Sequence, residues 1–188
     1  GALTTHHDVA TSALLREKCP ALAETAALIG DPQVRNRGTL GGSLAHADPA
    51  ADYPAIMLAL EADIHVVGPN GVRVINANDF FQGVFTVDLA PDEILTKVTF
   101  TPGGQAAYAK LHQRASRFAI VGVAAALNVT DGKIQSACVA LTGAASVPAR
   151  LTNVEAALAG QSVTPDTFTA AAAVASDGIE DINDDLHA

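Results

Sequence analysis

The stretch RNRGTLGGSLAHADPAAD, residues 35–52, places three glycines, a histidine and two aspartates between two apolar segments. Glycine has no Cβ, so it can take a positive φ and let a ligand approach the main-chain N–H groups. The interval from residue 30 to residue 48 is also longer than the roughly 12–15 residues usual for a connection without structure, and such long connections tend to be functional. We therefore predict a ligand-binding loop here, in which Gly38, Gly41 and Gly42 can take positive φ and leave no Cβ in the way of a ligand. The alternative is a demanding turn between two helices.

The composition limits the classes of function. Of the 188 residues, 49% are hydrophobic and 16% are charged, so the chain can bury enough apolar surface to fold. A net charge of -9 and a pI near 4.9 argue against nucleic acid as a partner. No apolar run approaches the roughly 18 residues of a transmembrane helix. Cys19 and Cys138 lie far apart and outside any metal-ligand spacing, so we expect neither a disulfide nor a zinc or iron–sulfur site.

Helices are predicted on both sides of the glycine-rich stretch. Residues 5–20 begin with Thr5 as a cap, and residues 20–30 carry the proline-first, glycine-last punctuation of a helix. On the far side, residues 49–61 have the pattern of a buried helix that starts at a proline, with Asp48 at the cap position. The glycine-rich stretch would then end at a helix N-terminus.

The second half of the chain has the pattern of antiparallel strands followed by helices. Residues 63–75 read as a hairpin with its turn at 68–71, and Glu93 to Phe100 as a further strand. After a Pro/Gly break near residue 102, we predict three strands, with Asp131 and Gly132 as a turn, and then two helices. The expected fold class is α+β.

Other kinds of site find little support in the sequence. There is no phosphate-loop or dinucleotide-binding glycine motif. His46, Asp48 and Asp52 are metal-ligand types, but no second cluster of ligands completes a site. His6 and His7, next to a helix start, are expected to be solvated.

The residues nevertheless match a known family. IGDPQVRNRGTLGGSLAHADPAADYPAIMLAL (residues 29–60), with GALTTHHDV (1–9) before it and DEILTKVTF (92–100) after it, resembles the FAD-binding medium subunit of the molybdenum hydroxylases. Within that family the resemblance is strongest to the carbon monoxide dehydrogenase type, and the flavin domain of the xanthine dehydrogenases is more distant.

The resemblance implies a particular domain organisation. Residues 1–101 would be the second subdomain of a PCMH-type FAD-binding domain. Residues 102–188 would be a C-terminal α+β domain with a three-stranded antiparallel sheet and helices. We find no match to the AGGxS turn of the family's first subdomain, so we expect a fragment that lacks this subdomain and is truncated at its C-terminus.

The resemblance also implies which residues bind FAD. The TLGGS motif would hold the flavin by backbone amides and two hydroxyls, Asp52 would hydrogen-bond cofactor hydroxyls, and Lys110 would be a cationic contact. Ile29 stands where some relatives have an aromatic residue, so apolar contact would replace stacking there. The full set of implied contacts is Ile29, Thr39, Leu40, Gly41, Gly42, Ser43, Asp52, Leu95 and Lys110, with no catalytic side chain and no metal ligand.

The function implied is electron transfer. FAD would take electrons from [2Fe–2S] clusters on an iron–sulfur subunit, which receives them from a molybdenum-cofactor subunit, and pass them to an external acceptor. The expected assembly is a dimer of heterotrimers in the cytoplasm, or at the inner face of the membrane through its partners. The isolated fragment is expected to be inactive. The alternative is a non-enzymatic scaffold that keeps the fold without a functional flavin site.

Overall fold

A computed structural model describes residues 1–102 and 105–179 of the chain, and it has the α+β architecture that the sequence predicts. The helices are α1 (His6–Thr11), α2 (Ala13–Lys18), α3 (Pro20–Ala27), α4 (Pro32–Arg35), α5 (Leu40–His46), α6 (Asp52–Ala59), α7 (Ala77–Phe80), α8 (Thr152–Leu158) and α9 (Pro165–Ala172). The strands are β1 (Asp63–Gly68), β2 (Gly71–Asn76), β3 (Phe81–Gly83), β4 (Thr86–Val87), β5 (Ile94–Thr99), β6 (Gln105–His112), β7 (Ala119–Thr130), β8 (Lys133–Thr142) and β9 (Ala149–Arg150).

Helix α6 is the centre of the fold, because all eight of its residues are buried. It packs against α3 on one side and against the long strands β7 and β8 on the other. The main hydrophobic core accordingly joins apolar residues of the first half of the chain to Ala124 and Ala140 of those two strands. A helix that is apolar on every face is expected only where it is surrounded by protein.

The strands form antiparallel sheets with short connections. The hairpin β1–β2 has its predicted turn at residues 68–71, and β5 pairs with the other edge of β1. Strands β6, β7 and β8 follow one another, and the predicted turn at Asp131 and Gly132 has positive φ at both residues. The C-terminal sheet has four strands rather than the predicted three. The two-residue β9 adds to the edge of β8, where Arg150 forms ion pairs with Glu155 and Glu61.

The prediction of a long loop at residues 30–48 is wrong, because two short helices occupy this interval. Asp31 caps α4, with its carboxylate accepting a hydrogen bond from the Val34 amide, and Thr39 caps α5 through the Gly42 amide. The freedom of Gly38, Gly41 and Gly42 to take positive φ is not used, since among the described glycines positive φ occurs elsewhere, first at Gly30. These three glycines serve close packing instead.

The start of the central helix was also predicted wrongly. Helix α6 begins at Asp52 and has Ala51 as its N-cap, so Asp48 does not cap it; the Asp48 carboxylate accepts from the Ala50 amide. The carbonyl groups of residues 49–51 are bonded to the C-terminal sheet and so are not available to a helical turn. They accept hydrogen bonds from the Gly143 amide, the Ala119 amide and the Thr142 hydroxyl, at 2.7–3.3 Å.

Two smaller points concern the helices. The predicted helix at residues 5–20 has the expected Thr5 cap, but it is divided into α1 and α2 by Ser12, which caps the second part. Within the described ranges, no helix is both long enough and apolar enough to cross a membrane.

Arg73 on β2 holds the loop before β5 in place. Its guanidinium donates to both carboxylate oxygens of Glu93 at 2.7 Å and to the Asp88 carboxylate at 2.8 Å. Hydrogen bonds from Arg73 and from the Ala90 amide lower the pKa of Glu93 to about 2. A carboxyl group with a lowered pKa in the folded state stabilises the fold fully above its unfolded pKa, and this contribution is lost as the pH falls towards the folded pKa.

We expect Arg73→Gln to remove this pH-dependent stabilisation. The parent chain should lose free energy of unfolding between about pH 4.5 and pH 2, and the variant should lose less over the same interval, as followed by urea unfolding at a series of pH values. Arg114→Gln is the control, since Arg114 is exposed and has no side-chain partner in the described part of the chain. Equal pH slopes for parent and Arg73→Gln would contradict the role of Arg73.

Candidate flavin-binding site

A cavity of about 430 Å³ lies between α5, the segment joining α3 to α4, and the turn before β7. Apolar side chains from Ile29, Val34 and Phe118 form part of its wall, and polar groups converge from α5 and the start of α6. A pocket of this size with a few convergent polar groups is typical of a small-molecule or cofactor site. Its lining comprises His6, Ile29, Gly30, Val34, Arg37, Gly38, Thr39, Gly42, Ser43, His46, Asp48, Ala51, Asp52, Ser116, Arg117 and Phe118.

The N-terminal segment of the chain fixes the position of α5. The Leu40 amide donates to the Thr4 carbonyl at 2.9 Å, and the Gly41 amide donates to the Ala2 carbonyl at 2.8 Å. This approach requires glycine at 41, because a Cβ there would lie 2.6 Å from the Ala2 Cβ and 2.9 Å from its backbone. These two hydrogen bonds therefore hold the first turn of α5 against residues 1–5.

These bonds contradict the expectation of free amide donors at residues 40–43 of the TLGGS motif. Besides Leu40 and Gly41, the Gly42 amide donates to the Thr39 hydroxyl oxygen, and the Ser43 amide donates to the Thr39 carbonyl. What the motif presents to the cavity is its side-chain hydroxyls. The Thr39 O–H can still donate, and the Ser43 hydroxyl has no partner among residues 1–102 and 105–179.

Asp52 lies at the base of the cavity in a buried ion pair. Its Oδ2 is 2.9 Å from Lys110 Nζ, its Oδ1 accepts from the Tyr108 hydroxyl at 2.6 Å, and the carboxylate and the lysine side chain are 5% and 3% exposed. Lys110 also donates to the Leu28 carbonyl. Tyr108 and Lys110 are two residues apart on β6, so both side chains project from the same face of the strand towards α6.

Sequence reasoning missed Tyr108, and Gly122 is the reason that it fits. A Cβ on Gly122 of the neighbouring strand β7 would lie 2.2 Å from the tyrosine oxygen. Burial raises the pKa of Asp52, against the opposing effects of Lys110 and of the Tyr108 hydrogen bond. Burial and the nearby Asp52 carboxylate raise the pKa of Tyr108, so the phenol stays protonated and donates. The sequence signal that could have identified Tyr108 is its position two residues before Lys110 in a predicted strand, because that spacing puts both side chains on one face.

His6 is a second residue that sequence reasoning misjudged. It was expected to be solvated, but it is 5% exposed, lines the cavity and packs its ring against Tyr53. Its backbone amide donates to the Gly38 carbonyl at 2.9 Å. His7, the next residue, is exposed as expected.

The structure brings together part of the predicted flavin-contact set. Five of those residues line the cavity: Ile29, Thr39, Gly42, Ser43 and Asp52. Leu40 and Gly41 are buried in the first turn of α5, and Lys110 does not line the cavity but pairs with Asp52, which does. Leu95 is a core residue of β5 and is not part of the cavity wall.

Comparison with known proteins decides the family. Residues 1–102 match the model of the FAD binding domain in molybdopterin dehydrogenase, and residues 106–188 match that of the CO dehydrogenase flavoprotein C-terminal domain. The chain belongs to the FAD-binding family of the molybdopterin dehydrogenases. The resemblance inferred from the sequence is confirmed.

Individual relatives agree with this assignment. The chain is 36% identical over 175 residues to the carbon monoxide dehydrogenase medium chain of Hydrogenophaga pseudoflava, covering 92% of this chain and 61% of the relative. It is 34% identical to the nicotine 6-hydroxylase medium subunit of Paenarthrobacter nicotinovorans, covering 98% and 65%. A solved carbon monoxide dehydrogenase from H. pseudoflava superposes with a TM-score of 0.91 at 38% identity, over 98% of this chain and 65% of that one. The chain thus spans about three fifths of the length of such family members.

The cavity can be tested against FAD, the cofactor that the family implies. The Thr39 and Ser43 hydroxyls, the Asp52 carboxylate and the apolar side chains suit the hydroxyl-bearing and ring portions of a flavin. The amides that open α5 are already bonded within the chain, so they do not form a pyrophosphate cradle; the cations in the lining are Arg37 and Arg117. The residues present therefore fit one part of FAD.

Because the Asp52–Lys110 ion pair is buried, replacing Lys110 should have a large effect on the free energy of unfolding. We expect Lys110→Met to lower the free energy of unfolding by about 3 kcal/mol, because it leaves the Asp52 carboxylate buried without its counter-charge. Urea unfolding measures the change. Lys97→Met on β5 is the control, since this lysine is exposed and should change stability by less than about 0.5 kcal/mol.

A double variant separates the ion pair from general packing. Asp52→Asn in the Lys110→Met background removes the unpaired charge, so it should recover much of the lost stability. If the double variant were as unstable as the sum of the two single changes, the ion pair would not be the cause.

Proposed function

We propose that this chain is the FAD-binding, electron-transferring part of a molybdenum-containing dehydrogenase, of the carbon monoxide dehydrogenase type. The observation that carries the proposal is the cavity in which the hydroxyls of the TLGGS segment and the Asp52 carboxylate meet an apolar wall. Family membership supports the same conclusion.

Each part of the cavity has a role in this proposal. Thr39 and Ser43 would hydrogen-bond the flavin part of FAD, and Ile29 would contact it through its apolar side chain. Asp52, oriented by Tyr108 and Lys110, would accept hydrogen bonds from cofactor hydroxyls. Bound FAD exchanges electrons one or two at a time, which suits it to connect single-electron clusters with an external acceptor.

The partners proposed are those that the resemblance implies. An iron–sulfur subunit with [2Fe–2S] clusters would deliver electrons from a molybdenum-cofactor subunit, in a dimer of heterotrimers located in the cytoplasm. The substrate would then be chosen by the molybdenum subunit. The residues of this chain would act by binding and orienting FAD and by keeping water from it.

A second candidate is supported by one observation. The N–H groups of residues 40–43 are bonded within the chain, so the motif offers no amide cradle of its own. A scaffold that keeps the fold without a functional flavin site would show this arrangement. The two candidates differ in whether FAD binds.

The first test is a titration of FAD with this 188-residue chain, followed by flavin fluorescence. We expect saturable but weak binding, with a Kd of about 10 μM or above, because the cavity supplies contacts to only one part of the cofactor. Riboflavin should compete with FAD, and ADP should not. Absence of saturable binding up to millimolar FAD would favour the scaffold.

Removal of a single hydroxyl gives a local test. Ser43→Ala should weaken FAD binding by about threefold to tenfold, the value of one neutral hydrogen bond. Ser136→Ala on β8 is the matched control, since that serine is exposed and outside this cavity. Equal weakening by both variants would contradict the assignment of Ser43.

Removal of the Asp52 carboxylate tests the second polar contact. Asp52→Ala should weaken FAD binding, and Asp52→Asn, which keeps the shape and can still accept a hydrogen bond, should weaken it less. FAD binding by both variants is measured without urea, after circular dichroism has shown that each variant is folded. Full flavin affinity in Asp52→Ala would rule out a role for this carboxylate in cofactor binding.

A further inference from the structure

Two buried polar atoms lack a hydrogen-bond partner in the described part of the chain, and they belong to neighbouring side chains. They are Nδ1 of His6 and the hydroxyl oxygen of Tyr53. The two rings have centroids 5.2 Å apart and are inclined at 59°. Buried polar groups without partners are rare in folded proteins, and each one calls for a specific explanation. The histidine is the more informative of the two, because it also lines the cavity.

The other edge of the His6 ring faces Gly38. A Cβ at position 38 would lie 2.4 Å from Nε2 of His6 and 2.8 Å from its Cδ2. Gly38 itself lines the cavity, and its carbonyl accepts the backbone amide of His6. The absence of a side chain at residue 38 therefore leaves the Nε2 edge of the imidazole next to the cavity. No side-chain hydrogen bond of His6 to another described residue uses this edge.

The surroundings of His6 favour its uncharged form. Burial, and secondarily the positive charge of Arg35, lower the pKa of the imidazole. Tyr53 against the ring offers no counter-charge while its phenol stays protonated, since burial and Asp52 raise its pKa. The charged and titratable groups on α1, α4 and around the cavity are His7, Asp8, Arg35, Arg37, His46, Asp48, Asp52 and Arg117.

The buried nitrogen determines which tautomer is expected. A neutral imidazole carries one N–H and one lone pair. A buried N–H without an acceptor is rarer than an acceptor that is not fully satisfied, so Nδ1 should be the unprotonated nitrogen. The proton is then on Nε2, and the ring presents a neutral N–H donor beside the cavity.

The geometry points to His6 as a further ligand-binding residue of this cavity, with its Nε2–H donating a hydrogen bond to an acceptor oxygen or nitrogen of the flavin part of bound FAD. This inference rests on the proposed function and adds a specificity determinant that the TLGGS motif does not contain. A neutral donor suits a hydroxyl, carbonyl or ring-nitrogen acceptor in a largely apolar pocket better than it suits a phosphate.

Nitrogen NMR of the imidazole rings tests the tautomer before any ligand is added. In the histidine-labelled chain, His6 should be a neutral Nε2–H tautomer, because burial and Arg35 lower the pKa of its imidazole. A His6 ring whose pKa is not lowered, or one with its proton on Nδ1, would overturn the inference whatever FAD does.

Ligand binding is tested by adding FAD to the same labelled sample and by three substitutions at residue 6. FAD should shift the Nε2 resonance of His6 and leave that of His7 unchanged. His6→Phe should weaken FAD binding by about threefold to tenfold. His6→Gln, which carries an amide N–H at the reach of Nε2, should restore part of the affinity, and His6→Asn, with its amide at the level of Nδ1, should not. His7→Phe is the control and should bind FAD like the parent.

The outcomes separate this inference from the proposed function. If the parent binds FAD and His6→Phe binds it equally well while folded, the role of His6 is wrong and the proposed function stands. If His6→Gln and His6→Asn bind equally, the side chain acts through packing and the inference is also wrong. If the parent shows no FAD binding by fluorescence or by NMR shifts, the proposed function fails, and the assignment of His6 fails with it.

Discussion

The rest of the structure depends on the buried carboxylate of Asp52, which opens a helix with no solvent-exposed face. A buried charge is tolerated when a cation and hydrogen-bond donors surround it, and Lys110 and Tyr108 of β6 supply both. The carbonyls of residues 49–51 add further bonds to β7, β8 and the residue after β8. The N-terminus of α6 is therefore held on the C-terminal sheet by directional contacts, while apolar residues further along the helix, such as Ile56 and Leu58, pack in the core.

This constraint also shapes the cavity. Asp52 cannot move without breaking its ion pair, so the base of the cavity is a rigid carboxylate rather than a mobile side chain. Two glycines outside the cavity wall allow the close packing behind it. Gly122 leaves room for the Tyr108 hydroxyl, and Gly41 leaves room for the segment at Ala2. The opposite wall, α5, is fixed by the same N-terminal segment that carries His6. The polar groups that meet in the cavity are thus positioned by four parts of the chain that are distant in sequence.

The parts of the fold that follow from local patterns were predictable, and those that depend on distant contacts were not. The β1–β2 hairpin and the turn at Asp131 are specified by neighbouring residues, and both are found as expected. Helix α5 was missed because two glycines weigh against a helix, although Thr39 in front of them is a good cap. Asp48 has the residue type and position of an N-cap, but it does not cap α6. The carbonyls of the residues that follow it accept hydrogen bonds from the C-terminal sheet, so the helix begins later, at Asp52. The family motif identified about half of the predicted contacts that line the cavity, whereas the roles of Tyr108 and His6 became visible only in the tertiary structure.

The glycines of the TLGGS segment show how one motif can be matched correctly and explained wrongly. Local reasoning interprets a glycine-rich stretch as a flexible backbone with free amides, but here the amides are bonded and the backbone is helical or extended. Gly41 and Gly42 act instead by the absence of a side chain, which allows Ala2 and the Thr39 hydroxyl to approach within distances that a Cβ would forbid, and Gly38 before the segment does the same for the His6 ring. The motif therefore constrains the surroundings of the cavity as much as its surface. Recognition of the ligand then depends on side chains in the cavity wall, among them the Thr39 and Ser43 hydroxyls, the Asp52 carboxylate and the His6 imidazole.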